Sequence, residues 1–177
     1  MNALLDGRLA ADVLPPPLGV ARPRASAAGV DVVWARHLDE VRAAQRLRYS
    51  VFAQEMGARL STTVPGHDVD LFDDYCEHVL VRARCTGEVI GTYRVLTPAQ
   101  ARRVGSTYSD VEFDLTRLRA LRPRMVELGR SCVHAEHRHG GTIMALWSAL
   151  ADFMALSAGE WRMARSIRVL LYSRAFS

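Results

Sequence analysis

The order of candidate strands and helices predicts an α/β (α+β) layer domain. Three observations support this fold class. The element order is β-α-β-β-(α)-β-α, a glycine turn joins two strands in the middle of the chain, and a long apolar helix follows the last strand. With 177 residues, 49% of them hydrophobic and 24% charged, the chain is large enough for one domain with its own core.

The first half of the chain predicts one strand, one helix and a hairpin. Alternating apolar residues over 30–34 predict the strand, and apolar residues at helical spacing predict a helix from His37 to Gly57, where the glycine ends it. Two further strands are expected at 78–84 and 88–96, joined by a tight turn at Thr86-Gly87.

The second half predicts a short helix, a strand and the long helix. Pro98 is placed to open the short helix, a helical piece is expected near Leu115–Leu121, and Met125–Val133 is the strand. A helix from about Thr142 to Ala158 would bury one broad face. The residues expected on that face are Ile143, Leu146, Trp147, Leu150, Phe153, Met154 and Ser157.

Composition divides the chain into three parts. Residues 1–29 are rich in alanine and proline, with three consecutive prolines at Pro15–Pro17, and are expected to form a flexible leader. Residues 30–159 carry the periodic patterns of the folded domain. Residues 160–177 have no acid after Glu160 and four arginines, so they form an atypical arginine-rich tail.

Charge and hydropathy restrict the function classes. All 23 basic residues are arginine and the formal net charge is +4, but no basic-aromatic motif accompanies them, so nucleic-acid binding is not expected. No apolar run reaches the roughly 18 residues that span a bilayer. The N-terminus lacks a basic start followed by an apolar block, so a cytoplasmic location is expected.

Neither the cysteines nor the histidines predict a metal site. The cysteines are Cys76, Cys85 and Cys132. They form no Cys-x-x-Cys pair and are expected to be buried thiols in a reducing compartment. His134, His137 and His139 have a spacing that matches no common zinc pattern, so a basic loop is expected there. No metal ligand and no bound cofactor are predicted.

A strand, a glycine turn and a helix follow one another at Glu127–Trp147. A helix N-terminus presents unpaired N–H groups and a positive dipole end, so it can hold a phosphate group. Gly140 and Gly141 would let the backbone approach the phosphate, and Arg138 would add a charge-assisted contact. A glycine turn that merely leads into a core helix would give the same pattern.

Four further segments occur in one order along the chain: Arg48–Phe52, Asp70-x-x-Asp73, Gly91–Leu96 and Glu127–Val133. Together they resemble a branch of the GNAT superfamily that contains the ornithine-lipid N-acyltransferases and, more distantly, the acyl-homoserine-lactone synthases. The resemblance covers about residues 30–158 and implies a GNAT-like fold with a mixed central sheet flanked by helices. The lactone synthases carry a tryptophan where this chain has Ala58, which favours the ornithine branch.

The resemblance implies three groups of functional residues. One group binds the amine substrate, a second performs catalysis beside the thioester, and a third holds the phosphopantetheine arm of the donor. The substrate group is Arg48, Phe52, Asp70, Asp73 and Arg94. The catalytic group is Glu127 and Arg130, and the phosphopantetheine group is Arg138, Gly140, Gly141 and Thr142.

Acylation of an amine gives these groups a chemical task. At neutral pH the amines of ornithine are mostly protonated, so a carboxylate must hold the cation and a base must accept a proton. Glu127 is the candidate base, Asp70 and Asp73 are the anchors, and a backbone N–H of the central strand would stabilise the oxyanion. The same acids could instead form structural ion pairs, and Glu127 with Arg130 could be an ordinary strand face.

The resemblance implies an N-acyltransferase that moves a 3-hydroxy fatty acyl group from acyl carrier protein to the α-amino group of L-ornithine and yields lyso-ornithine lipid. The alternatives are an acyl-homoserine-lactone synthase-like enzyme, which needs S-adenosylmethionine, and a non-catalytic truncated GNAT domain. Acyl carrier protein is the expected partner, with Arg102 and Arg103 contributing to its docking face. Peripheral contact with the inner face of the cell membrane stays open.

The tail departs from the family. In the family a further strand packs beside the Glu127 strand, whereas the residues after Gly159 resemble an out-of-frame sequence of a GC-rich gene. Truncation by a frameshift near residue 159 is therefore one hypothesis, and it implies an incomplete sheet with an exposed edge at the Glu127 strand. The rival hypothesis is an amphipathic helix over Trp161–Phe176 that lies on an anionic membrane surface.

Overall fold

The chain forms a sheet with helices packed on it, in a computed structural model that describes residues 25–27, 29–160 and 168–171. Within these ranges the sheet has six strands in the order β1 to β6; each pair is antiparallel except β5 and β6, which are parallel. The strands are β1 (Ala25–Ala27), β2 (Val30–Trp34), β3 (Glu77–Ala83), β4 (Val89–Leu96), β5 (Met125–Val133) and β6 (Arg168–Leu171). The α-helices are α1 (Leu38–Tyr49), α2 (Pro98–Val104), α3 (Ser109–Glu112) and α4 (Gly140–Glu160). Short 3₁₀ segments lie at Asp73–Tyr75, Thr116–Arg124 and Ala135–His137. The predicted α/β class and mixed sheet are confirmed.

The first helix changes its geometry before it reaches the predicted end. It is α-helical only as far as Tyr49, and Ser50–Glu55 continues as a π-helix. Gly57 then adopts φ 71°, in the left-handed region that glycine tolerates without a steric penalty. Because π-helical segments are frequent at functional sites, this change of geometry indicates a functional role for this segment and the residues after it.

The predicted hairpin is confirmed, with β3 and β4 each shifted by one residue from the expected start. The turn between them includes Gly87 at φ 73°, as a tight turn requires. Thr97 caps α2 by accepting the backbone N–H of Gln100 at 3.3 Å, and Pro98 occupies the first turn as predicted.

One β-bulge interrupts the pairing of β4 with β5. Thr92 faces Cys132 and Arg94 faces Gly129, so between these two pairs β5 contains one more residue than β4. Arg130 lies in the bulge with φ 52°, a left-handed conformation that is uncommon for a residue with a Cβ atom. The bulge therefore fixes the place from which the Arg130 side chain leaves the sheet.

Helix α4 covers the sheet through a narrower face than predicted. Leu146, Leu150 and Phe153 are buried as expected, together with small residues at Ala145 and Ala149. The prediction is wrong for Ile143 and Trp147, which are 41% and 46% exposed. The reason is that the alanines, rather than the larger residues, meet the sheet and rotate the buried stripe by about one position. Ser157 lies where side chains are not described.

Strand β6 changes the picture of the tail. Residues Arg168–Leu171 pair in parallel with Met125–Leu128, so the expectation of an exposed edge at the Glu127 strand is wrong over this stretch. The run Val169-Leu170-Leu171 suits a strand, which also overturns the amphipathic helix for these four residues. At the other end β1 lies inside the predicted leader 1–29 and pairs with β2. The rest of the leader and of the tail lies outside the described residues.

Candidate active site

Arg48 is the centre of a buried ion-pair network that joins α1 to the loop before β3. Its side chain has no exposed surface. Nε donates to Asp68 Oδ2 at 2.8 Å, and Nη2 donates to both carboxylate oxygens of Asp73, at 2.9 and 2.7 Å. Nη2 also donates to the backbone carbonyl of Asp68. Since removing a guanidinium from water is costly, these charge-assisted bonds are what stabilises Arg48 inside the domain.

The Asp73 carboxylate is surrounded by protein donors. Besides Arg48, Arg94 Nη1 donates to Oδ1 at 3.0 Å and Gln45 Nε2 donates to Oδ2 at 3.0 Å. Burial by itself would raise the pKa of Asp73, but the charges of Arg48 and Arg94 outweigh it and hold that pKa well below its usual range. The sequence predicts that Asp73 faces a cationic substrate, whereas these contacts give it the structural role that was the open alternative.

Asp70 and Arg130 are held more loosely at the outer side of the network. Asp70 Oδ1 accepts from Arg94 Nη1 at 2.6 Å, whereas Oδ2 has no hydrogen bond to any described residue and lies 3.5 Å from Arg130 Nη2. Arg130 Nε also has no hydrogen-bond partner in that part of the chain and lies 3.5 Å from Asp68 Oδ2. Asp70 and Arg130 therefore keep bonding capacity that Asp73 has used.

Two aromatic rings enclose the Arg130 guanidinium. Its Cζ lies 4.8 Å from the ring centroid of Tyr108 and 5.8 Å from that of Phe52. Cation–π contacts of this kind stabilise the guanidinium beside the two rings. Phe52, predicted in the substrate group, thus reaches the site through its contact with Arg130.

A cleft of about 570 Å³ lies beside these groups. Its lining includes Asp68, Asp70, Tyr108 and Arg130, together with residues 57–61 that follow the π-helix. The volume is within the range of small-molecule sites, and the lining combines three carboxylates, Glu112 being the third, with two arginines, the exposed Arg59 and the largely buried Arg130. Such a lining suits a small ligand that carries charges of both signs.

Glu127 lies on β5 and fastens the start of α3. Oε2 accepts the backbone N–H of Tyr108 at 2.8 Å, and Oε1 accepts the backbone N–H of Ser109, also at 2.8 Å, and its hydroxyl. A carboxylate has about four acceptor positions, so these donors leave roughly one of them. Glu127 and Arg130 also line a small cavity of about 10 Å³, close to the volume that one water molecule needs.

Arg138 is occupied by a neighbour on the π-helix. Its Nη1 and Nη2 donate to Glu55 Oε1 and Oε2 at 2.5 and 2.6 Å, and Nε donates to the carbonyl of Val133 at 3.0 Å. Both side chains of this pair are about two-fifths exposed, at 43% and 40%. The predicted contact of Arg138 with a phosphate therefore requires that Glu55 be displaced.

The N-terminus of α4 presents backbone rather than side chains to a phosphate. Gly140 and Gly141 are exposed at the first turn, and a Cβ atom on Gly140 would meet no atom within 4 Å. The side chain of Thr142 is fully buried and packs beside Gly91. Only its backbone N–H, one of the unpaired groups of a helix N-terminus, can face a phosphate.

The cysteines divide into two kinds. Burial raises the pKa of Cys132 to about 12 and also raises the pKa of Cys76, so neither is a thiolate near neutral pH. Cys85, in the turn between β3 and β4, is exposed, and the prediction of burial is wrong there. Among the described residues no group of His, Cys, Asp and Glu side chains could hold a metal ion. In the same ranges, every helix is too short or too polar to cross a membrane.

Three residues of the site were given no role from the sequence. Asp68 completes the pairing of Arg48, the ring of His78 donates from Nε2 to the Asp73 carbonyl at 3.0 Å, and Tyr108 stacks on Arg130. Asp68 lies two residues before Asp70 in the sequence, but its partner Arg48 is 20 residues away along the chain. No local pattern signals such a pairing.

The bulged strand, the long helix that follows it and the network beside a cleft are the features of a GNAT acyltransferase domain. Residues 47–148 match the family described as Acetyltransferase (GNAT) domain, and the chain belongs to this family.

Within it the chain is similar to L-ornithine N(alpha)-acyltransferases, which confirms the resemblance to the ornithine branch. The protein of that name from Rhodobacter capsulatus is 44% identical over 127 residues, covering 68% of this chain and 49% of that protein. The protein from Brucella abortus is 42% identical over 116 residues, covering 60% and 41%. The chain thus spans less than half the length of these relatives.

A solved structure with the same fold is the CoA-dependent acyl-homoserine lactone synthase BjaI with MTA. It has a TM-score of 0.52 and 22% sequence identity, and the match covers 70% of this chain and 56% of that one. At this level of identity the likeness concerns the fold alone.

Proposed function

We propose that this domain acylates the α-amino group of L-ornithine with a 3-hydroxy fatty acyl group carried by acyl carrier protein, which gives lyso-ornithine lipid. The names of the relatives support ornithine as the acceptor. The observation that carries the proposal is the cleft of about 570 Å³ with the Asp70 carboxylate and the Arg130 guanidinium on its lining. A cationic amino acid needs both charges for its recognition.

Asp70 is the anchor for the cationic side chain of the substrate. Its Oδ2 has no hydrogen bond to a described residue and its side chain is 19% exposed, whereas the side chain of Asp73 is 2% exposed. An ammonium group that reaches the cleft therefore competes with Arg130 for Asp70 Oδ2, a buried atom that lies 3.5 Å from Arg130 Nη2. Asp73 supports this acceptor indirectly, because it shares Arg94 with it.

The reaction forms a C–N bond and breaks a C–S bond. The neutral α-amine attacks the thioester carbonyl, the carbonyl oxygen becomes an oxyanion, and collapse releases the phosphopantetheine thiolate, which takes up a proton. The amine loses one proton, which Glu127 receives through the water-sized cavity beside Arg130. The described pairing of β5 with β6 ends at Leu128, so the strand continues without β6 beside it. A backbone N–H of β5 near the bulge stabilises the oxyanion there.

The donor lies along α4, with its phosphate at Gly140 and Gly141. The helix N-terminus supplies N–H groups and a favourable dipole, and Arg138 adds a charge once Glu55 releases it. Ion pairs between exposed side chains contribute little to stability, so a phosphate can compete for Arg138.

Acyl carrier protein would dock on the basic face that includes Arg102 and Arg103, on the exposed side of α2. The reaction would take place in the cytoplasm, with the domain peripheral to the inner face of the membrane that receives the product. Reversing both charges should weaken carrier binding and leave ornithine binding unchanged. Co-sedimentation with anionic vesicles tests the membrane contact.

A competition assay read by mass spectrometry tests the proposed reaction. The full chain is given 3-hydroxyacyl carrier protein and the matching CoA thioester, with ornithine, lysine and S-adenosylmethionine present together. The proposal predicts acyl-ornithine made from the carrier-bound donor. A homoserine-lactone product, or an acylated product made only from the CoA thioester, would contradict it.

A further inference from the structure

We infer that Arg130 binds the α-carboxylate of the amino-acid acceptor and thereby selects the amine next to that carboxylate for acylation. This inference rests on the proposed acylation of an amino acid and adds the residue that determines which of its amines reacts. Of the three arginines in the ion-pair network, Arg130 is the one that lines the cleft.

Of the two arginines of the network with an N–H group that has no hydrogen-bond partner among the described residues, Arg48 and Arg130, only Arg130 lines the cleft. Three arginines, Arg48, Arg94 and Arg130, face three aspartates, Asp68, Asp70 and Asp73. The first two arginines are paired at 2.6–3.0 Å, whereas both contacts of Arg130 are 3.5 Å long. A carboxylate brought by a ligand can therefore form short charge-assisted bonds with Arg130 without breaking any in the closed part of the network.

The geometry of Arg130 suits a carboxylate. Cation–π contacts with Tyr108 and Phe52 hold the guanidinium, and the bulge fixes where the side chain leaves β5. The side chain is only 14% exposed, so its bonds form in a medium poorer in water than the surface. A planar fork held in this way binds a carboxylate through two parallel hydrogen bonds.

The position of Arg130 links carboxylate binding to the choice of amine. Glu127 is three residues earlier on the same strand, and both side chains line the water-sized cavity. In ornithine the α-amine is attached to the carbon that bears the carboxylate, while the δ-amine is three carbons further away. Holding the carboxylate at Arg130 therefore places the α-amine near Glu127 and leaves the δ-ammonium to contact the acidic part of the cleft lining, which includes Asp70.

The test compares two acceptors in four proteins. The acceptors are L-ornithine and 1,4-diaminobutane, which has the same two amines and no carboxylate. The proteins are the full chain, Arg130→Gln, Arg130→Lys and the control Arg42→Gln, which removes an exposed arginine of α1 that does not line the cleft. We expect Arg130→Gln to lower kcat/KM for ornithine by about 10- to 100-fold, mainly through KM, to leave 1,4-diaminobutane within about 3-fold, and to raise the share of δ-acylated product. Arg130→Lys should recover part of the ornithine preference, and Arg42→Gln should change neither acceptor by more than about 2-fold.

Equal losses for both acceptors in Arg130→Gln, with an unchanged product ratio, would overturn the inference. Calorimetric binding of the two acceptors separates this from failure of the proposed reaction. If no acyl transfer is seen, ornithine binding that exceeds diaminobutane binding in the full chain and is lost in Arg130→Gln still supports carboxylate recognition. Equal binding of the two acceptors by the full chain would overturn it.

Discussion

The two sides of the ion-pair network contain the same residue types and differ in what they can do. On the inner side Arg48, Asp73 and Arg94 are at most 4% exposed and are joined by contacts of 2.7–3.0 Å. On the rim Asp70 and Arg130 are 19% and 14% exposed and lie 3.5 Å apart. The inner side stabilises the loop before β3, and the rim keeps the capacity to bind a ligand.

This difference shows that an acidic pair in a sequence does not by itself identify a pair of ligand-binding residues. Asp70 and Asp73 are three positions apart, and both bind Arg94. Only one of them keeps an oxygen without a hydrogen bond among the described residues. Burial and the number of donors decide between the two roles.

The largest effect is expected from breaking the inner side. Arg48→Met removes the cation that pairs with Asp68 and Asp73 and leaves both carboxylates buried, so the free energy of unfolding should fall by about 3–5 kcal/mol. Urea unfolding followed by circular dichroism measures this change. Arg46→Met, at an exposed position of the same helix, is the control and should change the free energy by less than about 0.5 kcal/mol. A loss below about 1 kcal/mol in Arg48→Met would contradict the structural role.

A smaller effect should follow pH, because a buried histidine supports the inner side. Burial lowers the pKa of His78 to about 4, while a histidine in the unfolded chain titrates near pH 6.5. The unfolded chain therefore binds more protons between these values, and stability should fall by roughly 2–3 kcal/mol as the pH drops from 7 to 4. Asp73, whose pKa is lowered, loses its contribution only at still lower pH.

His78→Gln identifies the source of this slope. Glutamine can donate a hydrogen bond to the Asp73 carbonyl as His78 Nε2 does, but it does not titrate. The variant should lose most of the stability change between pH 6.5 and pH 4 in urea titrations at several pH values. A slope equal to that of the parent chain would assign the pH dependence to other groups.

The smallest effect is expected at the donor side. Glu55→Gln removes the carboxylate that holds Arg138, so the free energy of unfolding should stay within experimental error. Under the proposed function the freed arginine should lower KM for the acyl donor by about 2- to 5-fold without changing KM for ornithine. Initial rates of Glu55→Gln and Glu55→Asp, measured over a range of acyl-donor concentrations, give the KM for the donor. An increase in donor KM would show that Glu55 assists the phosphate site.

Local patterns predicted the sheet better than the site. β5 was predicted at Met125–Val133 and has those bounds, because alternation and flanking turn residues are properties of a short segment. The π-helix at Ser50–Glu55 and the buried face of α4 depend on what packs against them. Periodicity alone therefore predicted an ordinary helix at the first and the wrong buried residues at the second. β6 was missed because a parallel pairing joins segments about 40 residues apart.

The structure brings several of the predicted site residues together, but their individual contacts could not be predicted from the sequence. Arg94 and Asp70 do meet, as the resemblance implied. The sequence could not distinguish the role of Asp73 from that of Asp70, because the groups that donate hydrogen bonds to the Asp73 carboxylate come from α1 and β4. The burial of Thr142 could not be foreseen either, since it depends on the closeness of α4 to Gly91.

One paired measurement tests the division of the network most directly. Asp70→Asn and Asp73→Asn are isosteric changes three positions apart, and each is measured for urea stability and for KM with ornithine. We predict that Asp73→Asn lowers the free energy of unfolding by about 2–4 kcal/mol, while Asp70→Asn lowers it by less than about 1 kcal/mol and raises KM at least about 10-fold. The reverse pattern, or equal effects of the two changes on both quantities, would contradict the account.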